Sequence, residues 1–563
     1  MAPLSSEFAP SLSPPRGVSQ TGSSRAGRWV CHLLCVVALM WTALVNGQPF
    51  FFPDTTSYIR SADLAVFLAS DHRLSTAWTA RYADGLTPKT NADAQPQAEP
   101  TPKQPTQAQP QTAHSVGNDV SSGNIMAGRS PYIGALLYLA YVASNFWLFV
   151  VGQALVAYWL IVLALRRFGV EEQNVVTGVV LILAATTSLP YFNGLLLADA
   201  FASFGILAFL LLATDTGALR RRDIVGLAII VLISAISHLT HIVMLFGMTA
   251  ALAVMQLVRF APWQRRALWI GAGCVVAGFA SLSLTSYAVK SVFHRPPQLV
   301  PLMTARFIDD GPGGDFIRAG CNGYDFVVCH MPVDKLSSQD FLWSTEPNSG
   351  GFLTATPEQR ARMSAEDTRF AIAVWKAYPL RQTGMIAYNS LRQMLTFPYE
   401  GLNVGCFAKP DCWASLPPET RDQLRDSLSG RNMWPGRTMT LLLYFAVGLA
   451  VVVITLGLPA MWRSRPAEAR AMTAWLILGF IPMAICDILG GAVSEPQYRY
   501  QGRLIWLVVL FGVIVFLVNR RNAVNVAHSP GNRVRRPQKH SSPLEAPRTK
   551  GDVEPTQVLK ELP

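Results

Sequence analysis

Long runs of apolar residues recur along the chain, separated by short segments that carry pairs or triplets of arginine. A run of about 20 mostly apolar residues can cross the hydrocarbon core of a bilayer as an α-helix. Only 15% of the 563 residues are charged, whereas soluble domains carry about 25%. The sequence therefore predicts an all-α polytopic membrane protein and argues against a soluble enzyme.

We predict about ten transmembrane helices. The run that begins at Trp29 is barely long enough to span, and the poor cleavage site after Val45 favours a retained anchor over a secretory signal. The apolar block 131–165 is too long for one span, so its first half is predicted to lie at the membrane interface. The predicted spans are 29–45, 144–165, 175–189, 195–213, 224–237, 242–258, 267–289, 438–461, 472–492 and 504–518.

Arginine clusters indicate the orientation. With these spans, five clusters fall on one side of the membrane, and lysine and arginine are enriched in cytoplasmic loops. The clusters are Arg166-Arg167, Arg220–Arg222, Arg265-Arg266, Arg463 with Arg465 and Arg470, and Arg520-Arg521. Both termini are therefore predicted to be cytoplasmic, in a multi-pass protein of the inner (plasma) membrane. The same bias explains the net charge of +12, so no nucleic-acid partner is predicted.

The polar segments complete the expected domain organisation. The two terminal segments are predicted to be disordered, and the C-terminal one is basic. The predicted units are a cytoplasmic N-terminus (1–28), a transmembrane module (29–289) whose first external loop holds a low-complexity insertion (87–113), an extracytoplasmic loop domain (290–436), C-terminal transmembrane helices (437–521) and a cytoplasmic tail (522–563).

Four of the eight cysteines lie in the loop 290–436, the region predicted to be outside. An oxidising compartment favours disulfides there. The simplest connectivity pairs Cys321 with Cys329 and Cys406 with Cys412, although two other pairings are open. A zinc site is the alternative, but no histidine stands at zinc-finger spacing.

Asp54, in the segment FPDTTSYIR, follows the first span and three phenylalanines. A carboxylate at an apolar rim suits a general base, because partial desolvation raises its pKa and fixed geometry aims it. The alternative is a helix start at Pro53, with Asp54 or Thr55 as the N-cap.

Three further residues near the outer membrane face are candidates for chemistry. Asp199 lies near the start of an apolar span, where a lone acid is a functional hypothesis, although a helix N-terminus also favours an acid. His238 and His241 lie three residues apart on one helical face. They suit phosphate or metal binding, and ordinary interfacial histidines are the alternative.

The late outer turn SEPQYRYQGR contains arginines where outside loops should be poor in them. Arg499 and Arg503 are four residues apart, so a helix would present both to one phosphate. Tyr498 is typical of the aromatic belt of a membrane protein. In the earlier segment DDGPGGDF, the Gly and Pro content predicts a plain turn at Asp309 and Asp310, and binding of a divalent cation or of an acceptor is the alternative.

Taken together, these features resemble the GT-C superfamily, membrane glycosyltransferases that use polyprenyl-phosphate sugars. The resemblance covers roughly residues 29–518. Its most specific part is Asp54 in FPDTTSY, and Arg499 and Arg503 in EPQYRYQGR resemble a late external turn that contacts the lipid phosphate. The sequence also resembles uncharacterised bacterial multi-pass membrane proteins. This similarity is carried by the segment DGPGGDF, the following cysteines Cys321 and Cys329, and the segment FLW (341–343).

The resemblance implies an inverting sugar transfer outside the membrane, with Asp54 as the catalytic base. The implied partners are a polyprenyl-phosphate-linked sugar, an envelope lipid or glycan acceptor and membrane lipids; no cofactor is implied. The donor phosphate would be bound by Arg499, Arg503 and His241, and the substrate by Asp199, His238, Tyr498 and Glu495. One departure from the family pattern is Thr55, which stands where a second acid is common.

Two other classes of function remain open. A transporter or flippase of a lipid-linked or anionic solute would use Asp199, His238 and His241 as a proton or substrate path. The absence of an internal repeat counts against it. An envelope polymerase, ligase or acyltransferase would use outside arginines and histidines, but needs no acid directly after the first span.

Overall fold

The structure is a computed structural model that describes residues 25–81, 129–215, 217–260, 265–346, 350–399, 412–413 and 416–527. Residues 1–24, the insertion 87–113, Cys406 and the tail beyond Ala527 lie outside these ranges, so the predictions made for them stay predictions. The described part is helical, and its only bridge between extended segments is an isolated one. The all-α prediction is confirmed for this part of the chain.

The N-terminal half contains eleven of the helices that we number here. They are α1 (Arg25–Ala38), α2 (Trp41–Asn46), α3 (Pro53–Ala69), α4 (Pro131–Ser144), α5 (Trp147–Arg167), α6 (Gln173–Thr186), α7 (Leu189–Gly194), α8 (Asp199–Ala213), α9 (Arg221–Ser237), α10 (Leu239–Leu257) and α11 (Arg265–Phe293).

The C-terminal half begins with shorter helices and ends with long apolar ones. They are α12 (Leu302–Asp309), α13 (Pro312–Arg318), α14 (Ser338–Trp343), α15 (Pro357–Ala377), α16 (Pro379–Leu395), α17 (Pro418–Asp426), α18 (Gly436–Ser464), α19 (Pro466–Ala492), α20 (Tyr498–Gly502) and α21 (Trp506–Ala527). Helix α21 continues past residue 522, where the sequence predicted the tail to begin.

Six helices of the described chain are long and apolar enough to cross a membrane: α5, α10, α11, α18, α19 and the segment Tyr498–Arg521. Helices α1, α4, α6 and α8 are apolar but shorter. Every predicted span has a helix at its position, yet the first one is interrupted. It breaks between Ala38 and Trp41 into α1 and α2.

The predicted division of the block 131–165 is also found. Helix α4 ends at Ser144, and Asn145 and Phe146 take positive φ values of 49° and 75° before α5 begins at Trp147. Residues in this left-handed region end a helix, so α4 and α5 run in different directions.

Helix α8 lies at the centre of the fold. All of its residues from Asp199 to Ala213 are buried, and it packs against α5, α9, α10, α11 and α19. A helix that is apolar on every side is stable in a protein core or in lipid, and here other helices cover α8 completely. The first turn of α8 is therefore held rigidly, which matters for Asp199.

A second, separate hydrophobic cluster lies within the loop 290–436. It is formed by residues between Ala305 and Val374, including Phe316, Phe341 and Phe370. Cys321 is fully buried in it and is bonded to Cys329. That disulfide is as predicted.

Cys412 is also disulfide-bonded, but Cys406, its predicted partner, lies outside the described residues. Among the described cysteines, Cys31, Cys35, Cys274 and Cys486 are free. These are the four that the sequence placed in spans.

We expect thiol alkylation of unreduced, denatured protein to miss Cys321 and Cys329 and to label Cys31, a free cysteine that serves as the internal control. Replacing both bonded residues by serine should lower the free energy of unfolding by roughly 2–4 kcal/mol, because the unfolded chain regains conformational freedom. Labelling of Cys321 in most molecules would contradict the disulfide.

Candidate functional site

The site forms where the segment before α3 runs beside the segment before α8. Phe50 and Leu195 form a parallel β-bridge: the N–H of Phe50 donates to the carbonyl of Gly194 (2.8 Å), and the N–H of Leu196 donates to that of Phe50 (3.0 Å). Asp54 and Asp199 each follow the bridge by four residues. The bridge therefore places two acids in neighbouring helix N-terminal turns, where the helix dipole favours negative charge.

Thr55 stabilises this arrangement. Its hydroxyl donates to the carbonyl of Leu196 (3.0 Å) and accepts from the N–H of Phe52 (3.1 Å). Phe52 is the N-cap residue of α3, and Asp54 lies in the first turn. The alternative prediction of a helix start at Pro53 is therefore confirmed, whereas its assignment of Asp54 or Thr55 as the N-cap is wrong. Thr55 therefore joins the start of α3 to the segment before α8.

Arg499 and Arg503 of the late outer turn reach both acids. Arg499 Nη2 is 2.8 Å from Asp54 Oδ2, and its Nη1 is 4.0 Å from Asp199 Oδ2. Arg503 Nη1 is 3.0 Å from Asp199 Oδ1. The two arginines therefore point to the same side of their turn, as their spacing predicted. Arg499 connects two acids that come from different helices.

Aromatic rings hold the guanidinium groups in place. The guanidinium carbon of Arg499 lies 4.5 Å from the ring centre of Phe52 and 5.7 Å from that of Tyr500. The guanidinium carbon of Arg503 lies 5.6 Å from the same tyrosine ring. These cation–π contacts stabilise a cation without using its hydrogen-bond donors, so the donors can point at an anion.

Arg129 is a member of the site that the sequence analysis missed. Arg129 lies directly before α4. Its Nη2 is 2.5 Å from Asp54 Oδ1. Close packing of α3 on α4 sets this position: a Cβ on Gly134 would lie 2.6 Å from the carbonyl oxygen of Tyr58, so only glycine allows the approach. Arg129 could have been found by the criterion that identified Arg499. Both are arginines in loops predicted to be outside, where arginine should be rare.

One small cavity is lined by all of these charged groups. Its walls are Asp54, Tyr58, Arg129, Leu197, Ala198, Asp199, His238, Arg499 and Arg503. Burial raises the pKa of the Asp54 carboxyl, but the charges and hydrogen bonds of Arg129 and Arg499 outweigh it and hold that pKa below its usual range. The expected rise in this pKa is therefore wrong for this state of the protein. Burial also raises the pKa of Tyr58, to about 12, so its hydroxyl stays protonated.

No protein-family model, curated protein or solved structure matches the chain. The assignment of a function therefore depends on the cavity itself.

His238 lines the cavity in the turn between α9 and α10. Its Nδ1 accepts from the N–H of Thr240 (3.2 Å), so the neutral ring carries its proton on Nε2. Burial, together with the nearby Arg503, lowers the pKa of this imidazole to about 3. In the ligand-free protein the ring is therefore neutral and its Nε2–H is a hydrogen-bond donor, and phosphate binding by His238 stays a prediction.

His241 lines a neighbouring cavity, with Ser234 and apolar side chains of α8, α9 and α10. Its Nδ1–H donates to the carbonyl of Ser234 (3.0 Å), and its ring centre is 5.6 Å from that of His238. Its Nε2 is buried without a hydrogen-bond partner among the described residues. His241 therefore does not share the lining of the arginine cavity, where the sequence analysis placed it.

Two other predicted substrate residues are not brought into the cavity lining. Glu495 accepts a hydrogen bond from the side chain of Gln339 (2.8 Å), and Tyr498 is 41% exposed. Glu495 precedes α20, and Tyr498 is its first residue, so neither follows Arg499 into the cavity lining.

Asp309 is the last residue of α12, and Asp310 is its C-cap residue. The predicted turn is found at Asp310 and Gly311, before α13 begins at Pro312. The buried Asp310 pairs with Arg306 and accepts hydrogen bonds from Gln382 (2.9 Å) and Asn389 (2.8 Å). Among the described residues, no group of three His, Cys, Asp or Glu side chains is arranged to hold a metal ion. Asp310 therefore acts as the centre of a polar network in the loop region.

Proposed function

We propose that the protein is an inverting, GT-C-type glycosyltransferase that moves a sugar from a polyprenyl phosphate to an envelope lipid or glycan acceptor. The single observation that supports it most is the pairing of Asp54 with Arg499, residues 445 positions apart in the chain. A carboxylate for proton transfer and two guanidiniums for a phosphate thereby meet in one cavity, which is the combination that this reaction requires.

In the proposed reaction, the acceptor oxygen forms a bond to the anomeric carbon of the sugar while the bond from that carbon to the phosphate oxygen breaks. The acceptor proton passes to Asp54. The departing polyprenyl phosphate gains one negative charge, and guanidiniums already in position stabilise that charge without reorganisation. Arg499 and Arg503 serve this purpose, because the aromatic contacts fix both guanidinium groups at the cavity lining.

The proposed topology has about ten spans, with both termini in the cytoplasm and the cavity at the extracytoplasmic face of the inner membrane. The acceptor would then approach from the side of the loop 290–436. The five arginine clusters support this orientation.

Reporter fusions that end at Gly217 and at Gly350 should respond oppositely, because the first site is predicted to be cytoplasmic and the second extracytoplasmic. A reporter that is active only after export gives the measurement, and a second reporter that is active only in the cytoplasm gives the control. The same response at both sites would reject this topology.

The direct test of the transferase uses the purified full-length chain in proteoliposomes with radiolabelled polyprenyl-phosphate sugars. We expect the label to leave the lipid and to appear in an acceptor fraction extracted from the envelope. Lipid analysis of a strain that lacks the protein should identify that acceptor. Retention of the label on the lipid under all acceptor conditions would contradict the proposal.

One observation favours the transporter alternative. His241 lines a second cavity beside the first, and its Nε2 is buried with no hydrogen-bond partner in the described part of the chain. The rings of His241 and His238 lie close together. A transporter would move the intact labelled lipid between leaflets, so the same proteoliposomes separate the two functions. The sugar–phosphate bond breaks only in a transferase.

A further inference from the structure

Asp54 is engaged by two arginines that approach from different parts of the fold. Its Oδ1 is 2.5 Å from Arg129 and its Oδ2 is 2.8 Å from Arg499. Both oxygens therefore accept charge-assisted hydrogen bonds, and the side chains of Asp54 and Arg499 are only 17% and 15% exposed. A carboxylate bound in this way is a weak base, because accepting a proton would break a contact with a cation.

The charged side chains among the described lining residues are three arginines and two carboxylates, and His238 stands beside them. Guanidinium groups bind anions through charge-assisted hydrogen bonds, so this lining suits an anionic ligand. A sugar linked to a lipid through one phosphate carries a single negative charge, whereas a diphosphate linkage carries two.

We propose that Arg129 is a donor-phosphate ligand of this site, and that the phosphate of a monophosphate-linked donor displaces Asp54 from Arg129 and Arg499. This proposal rests on the proposed function, because only there does the freed carboxylate act as a base. Guanidinium groups bind phosphate through two parallel hydrogen bonds, so the exchange replaces one anion by another on the same donors. Asp54 then has a free oxygen for the acceptor proton.

The exchange has a consequence for the order of events. Before the donor binds, Asp54 is neutralised and cannot activate water or an acceptor hydroxyl. After the donor binds, the base and the electrophilic carbon are present together. The phosphate also becomes more negative as the sugar leaves, and Arg129 adds a third guanidinium to stabilise it.

The test measures the binding of geranylgeranyl monophosphate to the full-length chain in detergent by microscale thermophoresis. Asp54→Asn removes the competing carboxylate and should bind the probe roughly tenfold more tightly than the wild type. Arg129→Gln should bind it roughly 10–100-fold more weakly. Arg73→Gln, an exposed arginine of the same loop, is the matched control and should bind like the wild type.

Two further probes separate the sources of phosphate. Inorganic phosphate should bind more weakly than the lipid monophosphate, and geranylgeranyl diphosphate should gain no affinity from its additional phosphate group and greater negative charge. Asp54→Ser and Arg129→Lys repeat the measurement if either first variant does not fold. Equal or weaker binding by the carboxylate-free variants would overturn the exchange, and wild-type affinity in Arg129→Gln would remove Arg129 from the site.

The outcomes for the exchange and for the transferase are separable. Tighter binding by Asp54→Asn, with no sugar transfer by the wild type, would retain the anion exchange and reject the transferase. Sugar transfer by the wild type, with unchanged probe affinity in both variants, would retain the transferase and reject the exchange.

Discussion

Asp54→Asn is expected to lower the rate of sugar transfer by about 10²–10⁴-fold, the usual effect of removing a general base. Asparagine keeps the shape of the side chain but has no basic oxygen to take the acceptor proton. The variant should still be inserted in the membrane. The expected loss of stability is roughly 1–3 kcal/mol, because Arg499 keeps its contact with Asp199.

The measurement compares transfer rates and thermal unfolding in the wild type, Asp54→Asn and Asp71→Asn. Asp71 is an exposed acid of the same loop with a φ of 54°, a conformation that asparagine tolerates. Its variant should transfer sugar normally. Full activity in Asp54→Asn at native expression would show that Asp54 is a counter-ion only, and the transporter alternative would then be favoured.

Arg503→Met should cause the largest loss of stability among single substitutions in the cavity, about 3–5 kcal/mol. Arg503 is 3% exposed and Asp199 is 6% exposed, so removing the guanidinium leaves a buried carboxylate without its nearest cation. Thermal unfolding of the purified chain measures this. Because Arg503 is also a proposed ligand of the donor phosphate, the same substitution should weaken the binding of the donor.

The double variant Asp199→Asn with Arg503→Met provides the control. It removes both charges, and replacing a whole buried pair is often close to neutral, so we expect it to unfold at a higher temperature than Arg503→Met alone. A double variant no more stable than Arg503→Met would show that the arginine acts through packing with Tyr500 and Cys486 and not through Asp199.

Helices were predictable from the sequence because apolar periodicity and length report directly on them. Each predicted span has a helix at its position, and the separate helix α4 was expected from the length of its block. The interruption between Ala38 and Trp41 could not be predicted, because a continuous helix and a broken helix can have the same apolar sequence. The complete burial of α8 by other helices was not predictable either, since its sequence is equally typical of a helix that faces lipid.

The site was predictable only in part. Asp54, Asp199, Arg499 and Arg503 were recognised because each charge violates the pattern of its surroundings. Their mutual pairing depends on the bridge between Phe50 and Leu195, which leaves no sequence signal. The direction of the pKa shift at Asp54 was wrong for the same reason: the sequence reports apolar neighbours, but not which cations fold onto the carboxylate.

Helix α16 of the loop region is attached to the turn that carries the arginines. Gly491 of α19 lets Ser390 approach, since a Cβ there would lie 2.4 Å from the serine hydroxyl. The side-chain amide of Gln393 is buried. It accepts a hydrogen bond from the backbone N–H of Gln497 (2.7 Å) and donates one to the backbone carbonyl of Gln497 (3.0 Å). Gln497 lies two residues before Arg499. The segment that carries Arg499 is therefore joined to the loop region by two hydrogen bonds and by close helix packing, so a substitution at Gln393 would reach the cavity lining without touching it.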